Sequence, residues 1–157
     1  MPARSLQQWF DLYGESHRNP ANKLIHWVCV PTIFFCVIGL LAEVPPHELP
    51  YLGRIPWAKL VVAVALLGFY LPKSLPMTVG MALWSYACLW LARYLQDAAP
   101  YPLWSICLVL FTLAWIGQFI GHRIEGKKPS FLTDLQFLLI GPAWLMGFIY
   151  RLVGIAY

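Results

Sequence analysis

From Leu24 to Ala42 the chain carries no Lys, Arg, Asp or Glu. At 1.5 Å per residue such a run makes a helix roughly 28 Å long, close to the hydrocarbon thickness of a bilayer. A segment in lipid must satisfy its own backbone polar groups, so the run commits this part of the chain to helix. Further apolar runs follow at Trp57–Leu71 (with Lys59 near its start), Met77–Ala92, Leu103–Gly121 and Leu135–Tyr150. The composition agrees, at 60% hydrophobic and only 11% charged residues, where soluble domains carry about 25% charged. The expectation is an all-α, polytopic membrane helical bundle of about five spans. Four to six spans are compatible with the shortness of the second, third and fifth runs. All of residues 1–157 are read as a single integral membrane domain.

Around these runs the sequence is sparse in signals. Leu6, Trp9, Phe10 and Tyr13 fall at i, i+3, i+4 and i+7, one helical face. They predict an amphipathic N-terminal interfacial helix, with packing on the rest of the protein as the alternative. The first 23 residues lack the charged-then-apolar order of a cleavable signal, so the first apolar run is read as the insertion signal. Gly141-Pro142 predicts a kink in the last helix. The four cysteines, Cys29, Cys36, Cys88 and Cys107, lie in apolar stretches without a C-x-x-C pair and read as packing residues. The net charge of +4 comes with no Lys/Arg run, so nucleic acid is not a partner. On a five-span scheme Arg4, Arg18, Lys23, Lys73, Arg123, Lys127 and Lys128 share one side, against Arg54, Lys59, Arg93 and Arg151. That bias places the N-terminus, and the polar residues near it, on the cytoplasmic face.

The chemistry concentrates in the histidines. His47, in a proline-rich loop, reads as a surface residue. His17 and His26 stand nine residues apart and would point to opposite sides of one continuous helix. Pro20 prevents that helix, because the residue before a proline is pushed out of the helical region. Asn19-Pro20 reads as the N-cap and first position of a new helix, so the chain turns between the two imidazoles and lets them converge. Asn22 joins the same polar pocket or bonds backbone near the helix start. His122 ends the fourth apolar run, with Gln118 one turn before it and Glu125 one turn after it on the same face. Gly126 is placed to stop that helix. Three imidazoles with oxygen donors from Glu125, and Asp134 as a second carboxylate, suit a borderline divalent metal such as Fe(II) or Zn(II). Alternatively these groups hydrogen-bond one another and close helix ends.

Two blocks carry a family signature. Residues 13–31, YGESHRNPANKLIHWVCVP, and residues 121–142, GHRIEGKKPSFLTDLQFLLIGP, resemble the paired motifs of a small membrane family. It is the 2-hydroxy fatty acid dioxygenase family of the yeast metabolism-of-phytosphingosine-to-odd-numbered-fatty-acids protein and its bacterial relatives. The resemblance implies an Fe(II)-dependent dioxygenase of α-oxidation, in which a 2-hydroxy fatty acid reacts with O2 and leaves as a fatty acid one carbon shorter. By that resemblance His17, His26 and His122 are candidate metal ligands, and Glu125 is a ligand or the partner that orients one. Asn19, Asn22 and Gln118 become candidates for bonding the ligands or the 2-hydroxyl. Arg18 and Arg123, and less so Lys127 and Lys128, become candidates for the substrate carboxylate. The implied setting is membrane lipid, in a bacterial inner membrane or an endoplasmic reticulum. A zinc-dependent membrane lipid hydrolase and a non-catalytic lipid-binding scaffold are the alternatives. Four histidines are too few for a histidine-box desaturase, no G-x-S-x-G supports a serine hydrolase, and no Asp or Glu lies mid-span to serve an ion-coupled carrier.

Overall fold

A computed structural model describes residues 4–49, 53–128 and 136–157. Helix α1 spans Leu6–Gly14 and α2 spans Pro20–Glu43. A short hairpin, β1 His47–Leu49 and β2 Gly53–Ile55, joins α2 to α3, Trp57–Ala65. Helix α3 runs on into a π-helical turn, Leu66–Tyr70. Then come α4, Leu75–Ala98, α5, Leu103–Glu125, and α6, Phe137–Val153. Among the described residues the hairpin is the one departure from helical secondary structure. Flanking prolines keep this loop out of helix, and the Arg54–Glu48 ion pair at 2.8 Å ties its strands.

Among the described residues three helices, α2, α4 and α5, are long and apolar enough to cross a membrane. Their outer faces carry exposed large apolar side chains such as Leu24, Val28, Leu83, Trp90, Val109 and Leu113. Exposed apolar surface on this scale fits lipid rather than water as the solvent. The other two apolar helices, Trp57–Tyr70 and Phe137–Val153, are shorter.

The packing explains the difference. Two buried clusters mark the two ends of the bundle. One holds Phe35, Cys36 and Ile38 of α2 with Ala58, Cys88, Ala92, Leu103 and Cys107. The other holds Val30 with Tyr70, Met77, Met81 and the apolar faces of α1 and α6. The segment Trp57–Tyr70 starts in the first cluster at Ala58 and ends in the second at Tyr70, so it carries the chain back along the bundle. Helix α6 behaves otherwise. Its clustered residues, from Phe137 to Tyr150, belong to the second cluster alone. Tyr70 Oη donates to the Leu139 carbonyl at 2.7 Å, and Tyr150 Oη donates to the Pro76 carbonyl at 2.6 Å. Helix α6 is therefore held at one end of the bundle. It stays helical through Gly141-Pro142, and α2 likewise accommodates Pro31.

The N-terminal helix also finds a protein partner. Ser5 forms a capping box with Gln8. The predicted stripe of Leu6, Trp9, Phe10 and Tyr13 is buried, with Trp9 edge-on to Phe137 and Tyr13 edge-on to Trp144. The face expected to lie in the interface is thus covered by α6.

Helices α2 and α5 form the most extensive pair. They approach closely because glycines meet sulfur: a Cβ added to Gly117 would lie 2.7 Å from Cys29 Sγ, and one added to Gly39 would lie 2.6 Å from Cys107 Sγ. Gly117→Ala should therefore cost about 1–3 kcal/mol of stability, read from thermal unfolding in detergent. Adding Cys29→Ala should recover most of that loss. Losses that simply add would show that the contact does not set the spacing.

Candidate metal centre

The turn between α1 and α2 forms as its residues dictate. Helix α1 ends at Gly14, and Ser16 and His17 bond back to the carbonyls of Tyr13 and Gly14. Asn19 is extended (φ −68°, ψ 129°), and its side chain accepts from Ala21 N at 2.9 Å, capping α2 with Pro20 at the first position. At the other block Gly126 adopts φ 72° and terminates α5, and Lys127 N bonds the His122 carbonyl at 3.1 Å. Helices α2 and α5 are antiparallel neighbours, so the start of one meets the end of the other.

Three imidazoles meet there. Ring centroids lie 4.2 Å apart for His17–His26, 5.1 Å for His17–His122 and 4.9 Å for His26–His122. All three residues are buried, none more than 3% exposed. One ligating atom from each falls within 4.8 Å of the others.

Backbone carbonyls fix two of the rings. His17 Nδ1 lies 2.6 Å from the Tyr13 carbonyl, and His26 Nδ1 lies 2.9 Å from the Asn22 carbonyl. A carbonyl only accepts, so each Nδ1 carries the proton and each neutral ring presents its lone pair at Nε2. Those two Nε2 atoms, with His122 Nδ1, are buried without a hydrogen-bond partner. Buried polar nitrogens are almost always satisfied, because an orphan costs about 1–3 kcal/mol. Three converging orphan lone pairs, two oriented by carbonyls behind them, are the arrangement that a bound metal ion completes. The residues present thus fit a metal.

Glu125 sits beside this set and is already engaged. Oε1 accepts from Arg18 N at 2.9 Å, and Oε2 accepts from Asn19 N at 2.8 Å and Asn22 Nδ2 at 3.1 Å. The carboxylate therefore binds the turn that carries His17 to the end of the helix that carries His122. Asn22 Nδ2 also donates to the Ser16 carbonyl at 3.0 Å, while its Oδ1 is buried and unpartnered. Oδ1 fills the space a side chain at position 121 would need, which makes Gly121 part of the site.

The sequence-predicted residues thus divide. His17, His26, His122, Asn22 and Glu125 come together, and Asn19 caps the helix beneath them. Gln118 is buried one turn from His122 and lines an apolar cavity of about 430 Å³ that His122 and Tyr13 also line. The Arg18 and Arg123 side chains are exposed and outside that cavity, as is Lys127, whose Nζ donates to the Glu15 carbonyl at 2.9 Å. Asp134 lies outside the described residues. The helical stripe gives Tyr13 no role at the site, yet its ring stacks on His17 at 4.0 Å and its carbonyl sets the tautomer. Its place four residues before His17 was the available signal. Trp144, 5.5 Å from His17, had none.

Two outcomes follow from this geometry. Glu125→Ala should leave the helices intact but weaken metal binding by about 10–100-fold, measured by competition with a chelator; unchanged affinity would remove the carboxylate from the site's support. The second concerns pH. Burial first, then the neighbouring His26, holds the His17 imidazole far below its ordinary range, at about 3, against the pull of the Tyr13 carbonyl. Between about 6.5 and 3 the unfolded chain therefore binds a proton that the folded one does not. Metal-free protein should lose stability as pH falls through that window, by up to about 1.4 kcal/mol per unit from this ring. His17→Phe should flatten the slope in a pH series of unfolding midpoints.

Comparison with known proteins places the arrangement. The profile of the family described as "Mpo1-like: 2-hydroxy-palmitic acid dioxygenase Mpo1-like" matches residues 3–153. The chain is similar to the 2-hydroxy-palmitic acid dioxygenase MPO1 of Saccharomyces cerevisiae, at 31% identity over 150 residues, covering 94% of this chain and 81% of the yeast protein. No solved structure matches. With both histidine blocks inside the matched region, the chain belongs to the Mpo1-like family.

Proposed function

We propose that the protein is an Fe(II)-dependent dioxygenase that acts on 2-hydroxy fatty acids at a membrane surface, releasing a fatty acid one carbon shorter. The observation that carries this reading is the set of three unpartnered imidazole nitrogens beside an apolar cavity. Family membership and the name of the yeast relative support the dioxygenase assignment and the substrate class. Atoms balance with one O2 consumed and CO2 and water released for each shortened acid.

In this reading His17, His26 and His122 hold the iron. Iron bound there supplies the one-electron chemistry that lets O2 react with a closed-shell acid. The protein does the rest by placement. Tyr13 and Asn22 fix two imidazoles through their carbonyls, and Glu125 fixes the turn. Gln118, whose amide has no partner among the described residues, meets the polar end of the substrate from the cavity wall. The aromatic cover of Tyr13, Phe137 and Trp144 keeps bulk water from the reacting end. Arg18 and Arg123 attract the carboxylate to the interface from outside the cavity.

The same reading sets the site in the membrane. With α6 held at the histidine end, Arg4, Arg18, Lys23, Lys73, Arg123, Lys127, Lys128 and Arg151 lie toward that end, and only Arg54, Lys59 and Arg93 toward the other. Four passages, α2, the Trp57–Tyr70 segment, α4 and α5, then return the chain to the side where it began. The cation excess makes that side cytoplasmic.

The test is product mass. Protein purified in detergent without oxygen and loaded with Fe(II) should convert 2-hydroxypalmitate and O2 to a fatty acid one carbon shorter. Folded His122→Ala should lose that turnover by at least about 10³-fold. Folded, iron-loaded protein that forms no shortened acid from any 2-hydroxy acid would overturn the reading. Turnover with zinc and without O2 would move a hydrolase to the front.

A further inference from the structure

The cavity that reaches the histidines is far longer than a metal and its ligands require. Its wall on α2 is Val30, Ile33, Phe34, Val37, Ile38 and Leu41. These are spaced i, i+3, i+4, i+7, i+8 and i+11, one continuous helical face. Carried back one and two turns, the same face bears His26 and Asn22. Helix α5 repeats the pattern, with Trp115, Gln118 and His122 on the wall. Two of the three histidines, His26 and His122, and the apolar wall therefore belong to the same stripes of the same two helices.

The wall is most polar at one end. Tyr13, Gln118 and His122 stand at the histidine end, the lone hydroxyl of Ser85 lies partway along, and Leu41, Val61 and Val62 line the far end. The far end falls beside the cluster formed by Ile38, Ala58 and Cys107. The cavity thus runs much of the length of the bundle. From Val30 to Leu41 the helix rises about 16 Å, and from His26 about 22 Å. An extended chain advances about 1.2 Å per bond, as a polypeptide does over its three bonds per residue. The wall therefore matches roughly 13–18 bonds of a straight chain.

We propose that this cavity is an acyl-chain channel, and that Leu41, Val61 and Val62 at its far end set the chain length the protein accepts. The tail lies along α2 as a lipid tail lies in a leaflet, and its polar end is delivered to Gln118 and the three imidazoles. The identity of the polar end rests on the dioxygenase reading; the channel rests on the wall itself. A largely apolar slot whose polar groups gather at the histidine end disfavours a compact polar ligand and orients a linear amphiphile in one direction.

The test reads position directly and needs no turnover. Full-length protein in detergent is given a long-chain 2-hydroxy fatty acid bearing a terminal diazirine, irradiated, and mapped by peptide mass spectrometry. Label is expected on the segments that hold Leu41, Val61 and Val62, and it should be displaced by unlabelled 2-hydroxypalmitate. A probe with a markedly shorter chain should label nearer Phe34 and Leu66. Label on the outer residues Leu83, Leu108 or Leu113, undiminished by competitor, would overturn the channel. Val62→Trp should shift the ratio of short-chain to long-chain binding by at least about ten-fold, the order of change expected from removing space for methylenes. Leu41→Phe gives the same reading if the tryptophan variant does not fold. An unchanged ratio in a folded variant would overturn the length-setting role. Channel labelling without any shortened product would sink the dioxygenase reading and leave a fatty-acyl site; turnover with label elsewhere would sink the channel alone.

Discussion

One carboxylate holds the candidate site together. Glu125 stands at the last turn of α5, and its two oxygens take the backbone N–H groups of Arg18 and Asn19 and the amide of Asn22. The first two donors belong to the turn before α2, the third to its first turn. Hydrogen bonds to a charged group contribute about 1.5–3 kcal/mol each, more than a neutral bond. This matters because His17 belongs to no helix. His26 and His122 are fixed by the packing of α2 on α5, whereas His17 rides on a five-residue connection between α1 and α2. Without an anchor from α5 that turn would be free to carry the ring away from the other two.

The anchor works against an opposing cost. Each orphan nitrogen in the cluster, and Asn22 Oδ1 beside them, costs about 1–3 kcal/mol in a dry interior. A small domain has only about 5–15 kcal/mol of net stability to set against such costs. The fold accepts them where it could have avoided them with apolar residues, and it holds the lone pairs convergent. That arrangement supports the proposed ligand site over a polar cluster that closes a helix bundle. In a closing cluster the imidazoles would bond one another; here the two Nδ1–H groups bond backbone, and His17 Nε2, His26 Nε2 and His122 Nδ1 are buried without partners.

How much of this the sequence disclosed depends on whether the signal was local. The break at Asn19-Pro20, the N-cap, the stop at Gly126 and the convergence of His17 with His26 all follow from short-range rules, and all appear as read. The meeting of His122 with the other two needed only that α5 end on the side where α2 begins. That Glu125 grips the turn before α2, and that Gly121 makes room for Asn22, were out of reach, since each depends on a partner about a hundred residues away in sequence. The fate of the last apolar run was hidden for a related reason. The last apolar run is apolar enough for lipid, but Phe137, Ile140, Trp144 and Tyr150 face α1 and the start of α4. Hydropathy measures what a helix avoids, and it cannot distinguish lipid from a protein surface of equal polarity. The stripe on α1 is ambiguous in the same way between lipid and a protein partner, and α6 is that partner.

The placement of α1 and α6 follows from what the site must exclude. A bundle that ended at the tips of α2 and α5 would leave the imidazoles at the depth where headgroups and water meet the hydrocarbon. Tyr13, stacked on His17, and Trp144, packed against both, put aromatic carbon over that end instead. Phe137 backs Trp9 and Tyr13 from α6. The aromatic faces of the two short helices are thus used on each other and on the histidines. The result is a polar centre that is dry toward the water side and continuous with an apolar cavity on the other. On the proposed reading that asymmetry is functional. A lipid-derived acid reaches such a centre along its own tail, from the bilayer, while bulk water meets an aromatic cover.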